Sequence, residues 1–185
     1  MTSNEDNFAI VRSNVVTRGV VSIMGGAACT YFGYKYLPLP VPEVNGVADQ
    51  LVYAMRWQMP AVGLVLYYIL DVASARRNTG VVDPVAGQKE PESLTVRRSV
   101  LQNTIEQLLL HSPSMLVLAT YLRPDQLKLI PLLSSLFVVG RLWYRAGYID
   151  PSNLRTNRAN GFALSIIPTG SVIAYNLYRL LLSFF

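Results

Sequence analysis

The stretch Ala159-Asn-Gly-Phe-Ala-Leu-Ser-Ile-Ile-Pro-Thr-Gly-Ser-Val-Ile-Ala-Tyr-Asn-Leu-Tyr178 contains no charged side chain. At 1.5 Å rise per residue, a helix of that length spans about 30 Å, the thickness of a bilayer's hydrocarbon core. It lies in an apolar segment from about Asn160 to Phe184, and four comparable segments precede it. They run from about Val15 to Leu37, Asp49 to Ala75, Ser93 to Leu122 and Gln126 to Tyr148. Pro38, Pro40 and Pro42 stop the first, Arg76 and Arg77 end the second, and Pro124-Asp125 makes a tight turn between the third and fourth. Pro60, Pro113 and Pro168 fall inside segments and predict kinks, which neighbouring helices tolerate in a membrane. The expected fold is all-α: an integral membrane bundle of about five transmembrane helices.

Composition agrees. Charged residues make up 15% of the 185-residue chain and hydrophobic residues 51%, with mean hydropathy +0.31. Soluble domains carry about 25% charged residues, so this chain is short of the groups needed to cover a water-facing surface. The net charge of +5 does not point to nucleic acid, because the basic residues gather at segment ends and form no basic face. Cys29 has no intrachain partner, which excludes a disulfide framework, and it reads as a buried small residue. His111 is the only histidine, so a zinc site is not expected, and the residue reads as hydrogen-bonded inside the bundle. Asp71 is placed to pair with Arg76 or Arg77, or to face water. Gly25-Gly26-Ala27-Ala28 reads as a packing surface of small residues.

The polar start, Met1 to Asn7, lacks the order of a cleaved signal peptide. With five spans, one face collects Arg12, Arg18, Arg76, Arg77, Lys89, Arg97, Arg98, Arg141, Arg145, Arg155 and Arg158. The other holds Lys35, Arg56, Arg123, Lys128 and Arg179. The positive-inside rule then places the N-terminus in the cytosol and the C-terminus in a lumen.

Ionisable groups at membrane depth are costly and face a bundle interior or cavity. Arg98, Gln102 and Glu106 stand at i, i+4, i+8, and Asn103 lies one face over; Arg98 is within reach of Glu106 through Gln102. Arg141, Tyr144 and Tyr148 form a second stripe, with Arg155 and Arg158 following in the next loop. Helix-packing polar contacts, interfacial tyrosines and snorkelling arginines account for each stripe singly. Together, on one side of the membrane, they suit a polyanionic, peptide-like ligand with an ammonium group: Glu106 for the amine, the arginines for carboxylates.

The order of these residues resembles the MAPEG family, which includes microsomal glutathione transferases and leukotriene-C synthase. Asn103 and Glu106 match its Arg-x-x-x-Asn-x-x-Glu motif, but Ser99 stands at the arginine position, with Arg97 and Arg98 just ahead of it. Arg141, Tyr144 and Tyr148 are similar to its Arg-x-x-Tyr-x-x-x-Tyr stretch, and Arg158-Ala-Asn-Gly161 to its entry into the last helix. The resemblance covers residues 49–185 as a four-helix membrane domain and leaves residues 1–48 as a cytosolic N-terminus plus an additional helix, an arrangement similar to the five-span, mattrin-like branch. It implies a homotrimer in the lipid bilayer, in the endoplasmic reticulum, Golgi or another endomembrane. Glutathione would be a cosubstrate bound by Arg98, Gln102, Asn103, Glu106, Arg141, Tyr144 and Tyr148. Arg155 or Arg158 would activate its thiol toward a small lipophilic electrophile or hydroperoxide. The branch itself implies a different role, that of a non-catalytic membrane regulator or scaffold in the secretory pathway, and the residues leave catalysis open.

Overall fold

The computed structural model describes residues 2–39, 41, 43–79, 90–149 and 157–184. The described residues form five α-helices: α1 (Thr2–Tyr36), α2 (Val47–Thr79), α3 (Glu92–Tyr121), α4 (Leu129–Ile149) and α5 (Arg158–Leu182). A 3-10 turn at Pro124–Gln126 joins α3 to α4. Each expected segment is one helix, with shifts at the ends; α2 runs four residues past Ala75 to Thr79. α1 begins at Thr2 rather than near Val15. α4 begins three residues later than expected because Pro124-Asp125-Gln126 spends its backbone groups on the turn, where Arg123 N–H donates to Gln126 Oε1 (3.1 Å). Pro60, Pro113 and Pro168 each lie within a continuous helix.

The buried face of α2 runs Gln50, Ala54, Gln58, Ala61, Leu64, Tyr68, Val72, Ala75, in steps of three or four. Its outward face carries Met55, Met59, Val62, Leu66, Ile69 and Leu70, all exposed. A water-soluble bundle has the opposite polarity, with glutamines out and leucines in. Among the described residues, α2 and the stretch Pro124–Ile149 are long and apolar enough to cross a membrane.

Apolar clusters close both ends of the bundle. Ala54, Met115, Leu118, Leu127, Ile130 and Val172 pack at one end, and Leu64, Tyr68, Val100 and Tyr144 near the other. Between them runs a polar seam. Gln58 Nε2 donates to Ser134 Oγ (3.0 Å), linking α2 to α4. His111 is buried with Nδ1 3.0 Å from Thr169 Oγ1, whose own proton goes to Ser165 O (2.9 Å). Asn176 Nδ2 donates to Ser114 O (2.8 Å). Where apolar groups meet apolar lipid, such polar contacts and close packing fix which helices associate and in which register.

Glycine sets the closest crossing. A Cβ on Gly161 would lie 2.1 Å from the Tyr144 nitrogen and 2.4 Å from the Gly140 oxygen. On Gly147 it would lie 2.5 Å from the nitrogen of Arg158. The backbones of α4 and α5 therefore touch, which brings Ser165 beneath Arg141. α1 packs against α4 and α5 through Gly19, Gly26 and Gly33, whose faces meet Ala163, Leu164 and Leu132. Gly25, Ala27 and Ala28 are exposed, so only part of the expected small-residue surface is used. Cys29 is likewise exposed, contrary to its reading as a buried residue. α1 contacts the bundle on one stripe only, and Cys29 lies off it.

Candidate functional site

The two polar stripes of the sequence occupy different places. Gln102 and Glu106 are exposed on α3, with Gln102 Nε2 donating to Glu106 Oε1 (3.1 Å). They line a cleft of about 280 Å³ with Val72 and Arg76 of α2 and with Arg98, Leu101 and Ile105 of α3. Arg98 does not turn toward Glu106 as the spacing allowed. Its Nη1 donates to both carboxylate oxygens of Glu90, at 2.7 and 3.0 Å. That bond holds the Glu90 carboxyl below its ordinary range. The geometry follows from chain order: Glu90 enters α3 one residue before Pro91 and overhangs the second turn.

The inner stripe is built around Arg141, which is fully buried. Nη2 donates to Asn103 Oδ1 (2.9 Å), Nε to Thr104 Oγ1 (3.2 Å) and Nη1 to Ser165 Oγ (3.4 Å). Its guanidinium carbon lies 4.1 Å from the centre of the Tyr144 ring. Ser165 donates to Gln107 Oε1 (2.7 Å), and Tyr68 OH donates to the Arg141 carbonyl (3.1 Å). Among the described residues, no carboxylate forms an ion pair with Arg141, so a buried guanidinium is held by neutral acceptors and a π face. Such a group is retained only when hydrogen bonds offset the loss of water. Asn103 thus serves the interior, and the matched motif divides: Asn103 points to Arg141 while Glu106 remains on the outer cleft.

Tyr144 and Tyr148 form the route between interior and surface. Their rings stand 5.5 Å apart, edge to face, and the Arg158 guanidinium lies 4.8 Å from the Tyr148 ring. Arg158 is exposed in the first turn of α5. Arg155 lies outside the described residues. Ser99, at the motif's arginine position, donates its hydroxyl to Thr95 O (2.9 Å).

Asp71 pairs with neither Arg76 nor Arg77. It is shared by Arg97 and by Arg145, whose Nη2 lies 2.9 Å from Oδ2. The reason is helix geometry: Asp71 faces α3 and α4, whereas Arg76 turns to the cleft and Arg77 is exposed. Of the two arginines just before Ser99, Arg97 is therefore bound by Asp71 and Arg98 by Glu90. Sequence reasoning missed Asp71 as a joint between three helices. It also missed Thr104, Gln107, Ser165 and Thr169 as partners of Arg141 and His111. The i, i+4, i+8 spacing of Gly161, Ser165 and Thr169 on an otherwise apolar helix was the available signal.

Comparison with known proteins places this geometry in a lineage. The sequence model of the MAPEG family matches residues 56–178, from the first third of α2 to the last turns of α5. Two similar proteins are both called Transmembrane protein 79. The one from Mus musculus is 30% identical over 172 residues, covering 87% of this chain and 41% of the relative. The one from Bos taurus is 29% identical over 167 residues, covering 87% and 40%. The chain thus spans about two fifths of the length of these relatives. A match over two thirds of the chain, an inside-out polarity and the ordered residues from Asn103 to Gly161 identify it as a membrane protein of the MAPEG family.

Proposed function

We propose that the protein is a five-span, mattrin-like member of this family that binds glutathione in the cleft between α2 and α3, with binding rather than fast turnover as its main chemistry. The supporting observation is the grouping of Arg76, Arg98, Gln102 and Glu106 around one cleft. Glutathione carries two carboxylates and an ammonium. Arg76 and Arg98 match the carboxylates, Glu106 the ammonium, and Gln102 a peptide group. In a homotrimer, which family membership implies, a neighbouring subunit would close the open side of the cleft. The orientation is N-terminus cytosolic and C-terminus lumenal, in an endomembrane.

The groups available for thiol activation are Arg158, beside Tyr148, and Arg155. A thiol with a pKa near about 8.5 gains thiolate character beside a guanidinium. The sulfur would then attack a lipophilic electrophile arriving from the bilayer, with a tyrosine hydroxyl donating to the sulfur or to a carboxylate. Three features weaken this chemistry, and the second of them, the pairing of Arg98, weakens carboxylate binding as well. Ser99 supplies no cation, Arg98 is already paired with Glu90, and the donors of Arg141 point inward.

The same three features favour a second reading, in which the scaffold serves as a regulator without a small-molecule cosubstrate. Its relatives are named as transmembrane proteins and not as enzymes. Calorimetry with detergent-purified protein, together with the ultraviolet band of a bound thiolate, separates the readings. Saturable glutathione binding that is lost in Glu106→Ala supports the cleft. A thiolate band weakened in Arg155→Ala or Arg158→Ala supports activation. Absence of binding up to millimolar glutathione refutes the first reading and leaves the second.

A further inference from the structure

A cavity of about 480 Å³ lies between α1 and the paired helices α4 and α5, away from the α2–α3 cleft. α1 ends before the region matched to the family begins, so this space exists only because an extra helix has been added. Its walls include Gly26, Ala27 and Thr30 of α1 and Ala163, Ile167 and Ser171 of α5. The hydroxyls of Thr30 and Ser171 donate back to Gly26 O (2.9 Å) and Ile167 O (3.0 Å) of their own helices. They offer no proton to a guest, so the lining is hydrocarbon in character. The space is a groove with one open side rather than a sealed void, so an acyl chain can enter it from the bilayer.

The ends differ. Toward the C-terminus of α1 the lining passes to Tyr31, Tyr34 and Leu129. Lys128 Nζ stands 4.0 Å above the Tyr34 ring, and Lys35 Nζ lies between the rings of Tyr36 (5.3 Å), outside the lining, and Tyr31 (6.0 Å). Among the described residues, neither lysine forms an ion pair. Ser22 to Tyr34 covers about 18 Å of helix, slightly more than the roughly 15 Å depth of one leaflet's hydrocarbon. The space is thus one leaflet deep, apolar along its length and cationic at its mouth.

We propose that this cavity holds one acyl chain of an anionic phospholipid, whose phosphate-bearing headgroup is held by Lys35 and Lys128. The lipid fills the gap between α1 and the family scaffold and so serves as the mortar for the added helix. In the orientation proposed above Lys35 and Lys128 lie on the lumenal side, so the headgroup belongs to the lumenal leaflet, where two ammonium groups favour an anionic headgroup over a zwitterionic one by direct Coulomb attraction. Ammonium groups resting on tyrosine rings are held in place for that contact.

The test uses the full chain in nanodiscs of equal parts palmitoyl-oleoyl phosphatidylserine and phosphatidylcholine, with native mass spectrometry of the released protein. One retained phosphatidylserine per chain is expected, preferred about tenfold over phosphatidylcholine. The double variant Lys35→Gln/Lys128→Gln should retain a lipid but lose the preference. Ala27→Phe/Ser171→Phe, at two exposed wall positions, should lose the retained lipid while keeping its glutathione response. Equal retention of the two phospholipids by the unaltered protein would overturn the proposal. So would an undiminished preference in the lysine variant, retention unchanged by the filling variant, or replacement of the phospholipid by cholesterol in discs that contain it. Should the filling variant fail to fold, the lysine variant decides alone, since Lys35 and Lys128 lie outside the packed core.

Discussion

Substituting Gly161→Ala adds a single methyl group where two backbones meet. Its carbon would stand 2.1 Å from the Tyr144 nitrogen, 2.4 Å from the Gly140 oxygen and 2.6 Å from the Tyr144 α-carbon. All three obstacles are main chain, so no rotamer change relieves them and the helices must part by more than about 1 Å, the gap to ordinary contact near 3.5 Å. Overpacking of this kind costs up to about 3 kcal/mol. Separation also lengthens the 3.4 Å contact of Arg141 with Ser165, and a hydrogen bond to a charged group is worth about 1.5–3 kcal/mol. Against this, alanine is favoured over glycine within a helix by about 1 kcal/mol. The net loss is up to about 3.5–5 kcal/mol, or roughly 7–20 °C in Tm for a chain of this size. Gly170→Ala, on the same helix, has open space around its added carbon. It carries the helix gain alone and should melt at the same temperature or slightly higher. Fluorescence-detected size exclusion after heating, in one detergent, measures both. Equal melting of the two variants would refute the claim that glycine at 161 is fixed by the α4–α5 contact.

Other expectations are equally direct. Asn103→Leu removes an acceptor from the buried guanidinium of Arg141 and should cost about 2 kcal/mol, read as a lower Tm with glutathione absent. Asp71→Asn releases both Arg97 and Arg145; because Arg97 is about a third exposed, the cost should be about 1–2 kcal/mol rather than the larger value of a fully buried pair. The Glu90 carboxyl, held down by Arg98, should titrate below the ordinary glutamate value of about 4.3, and Arg98→Gln should move it upward, as followed by carboxyl carbon NMR. The sign is that of a depressed acid: the Glu90–Arg98 link is present above the unfolded value and is lost as pH falls through the folded one.

The helices were legible because lipid imposes length and apolarity on every span, and both are counted directly along the chain. Pro38 and Pro124 marked ends for the same reason, since breakers act locally, whereas Arg76 and Arg77 did not stop α2, which runs on to Thr79 because arginine is a good helix former. The residues at membrane depth were also legible as a set: Asn103, Glu106, Arg141, Tyr144 and Tyr148 are costly there and invite explanation. Their division was not. Whether Arg141 faces a ligand or Ser165 depends on the rotation of α4 against α5, and Gly140, Gly147 and Gly161 set that rotation through contacts 10 to 25 residues apart in sequence. The partners of Asp71 were hidden likewise. Arg76 and Arg77 are near along the chain, while Arg97 and Arg145 are near only once three helices have packed. Cys29 was misread because burial statistics assume a residue surrounded on all sides, and α1 is contacted along one stripe.

That one-sided docking of α1 has a bearing on how the protein is made. Its partners are the last helices to be synthesised: about 120 residues separate Tyr36 from the start of α5 at Arg158. At 5–20 residues per second the ribosome takes roughly 6 to 24 s to cover that distance. Until α4 appears at Leu129, about 90 residues after Tyr36, an inserted α1 would have its eventual neighbours missing. Its contact stripe of Gly19, Gly26 and Gly33 exposes no ionisable group during the wait, so the helix can idle in lipid without recruiting the wrong companion.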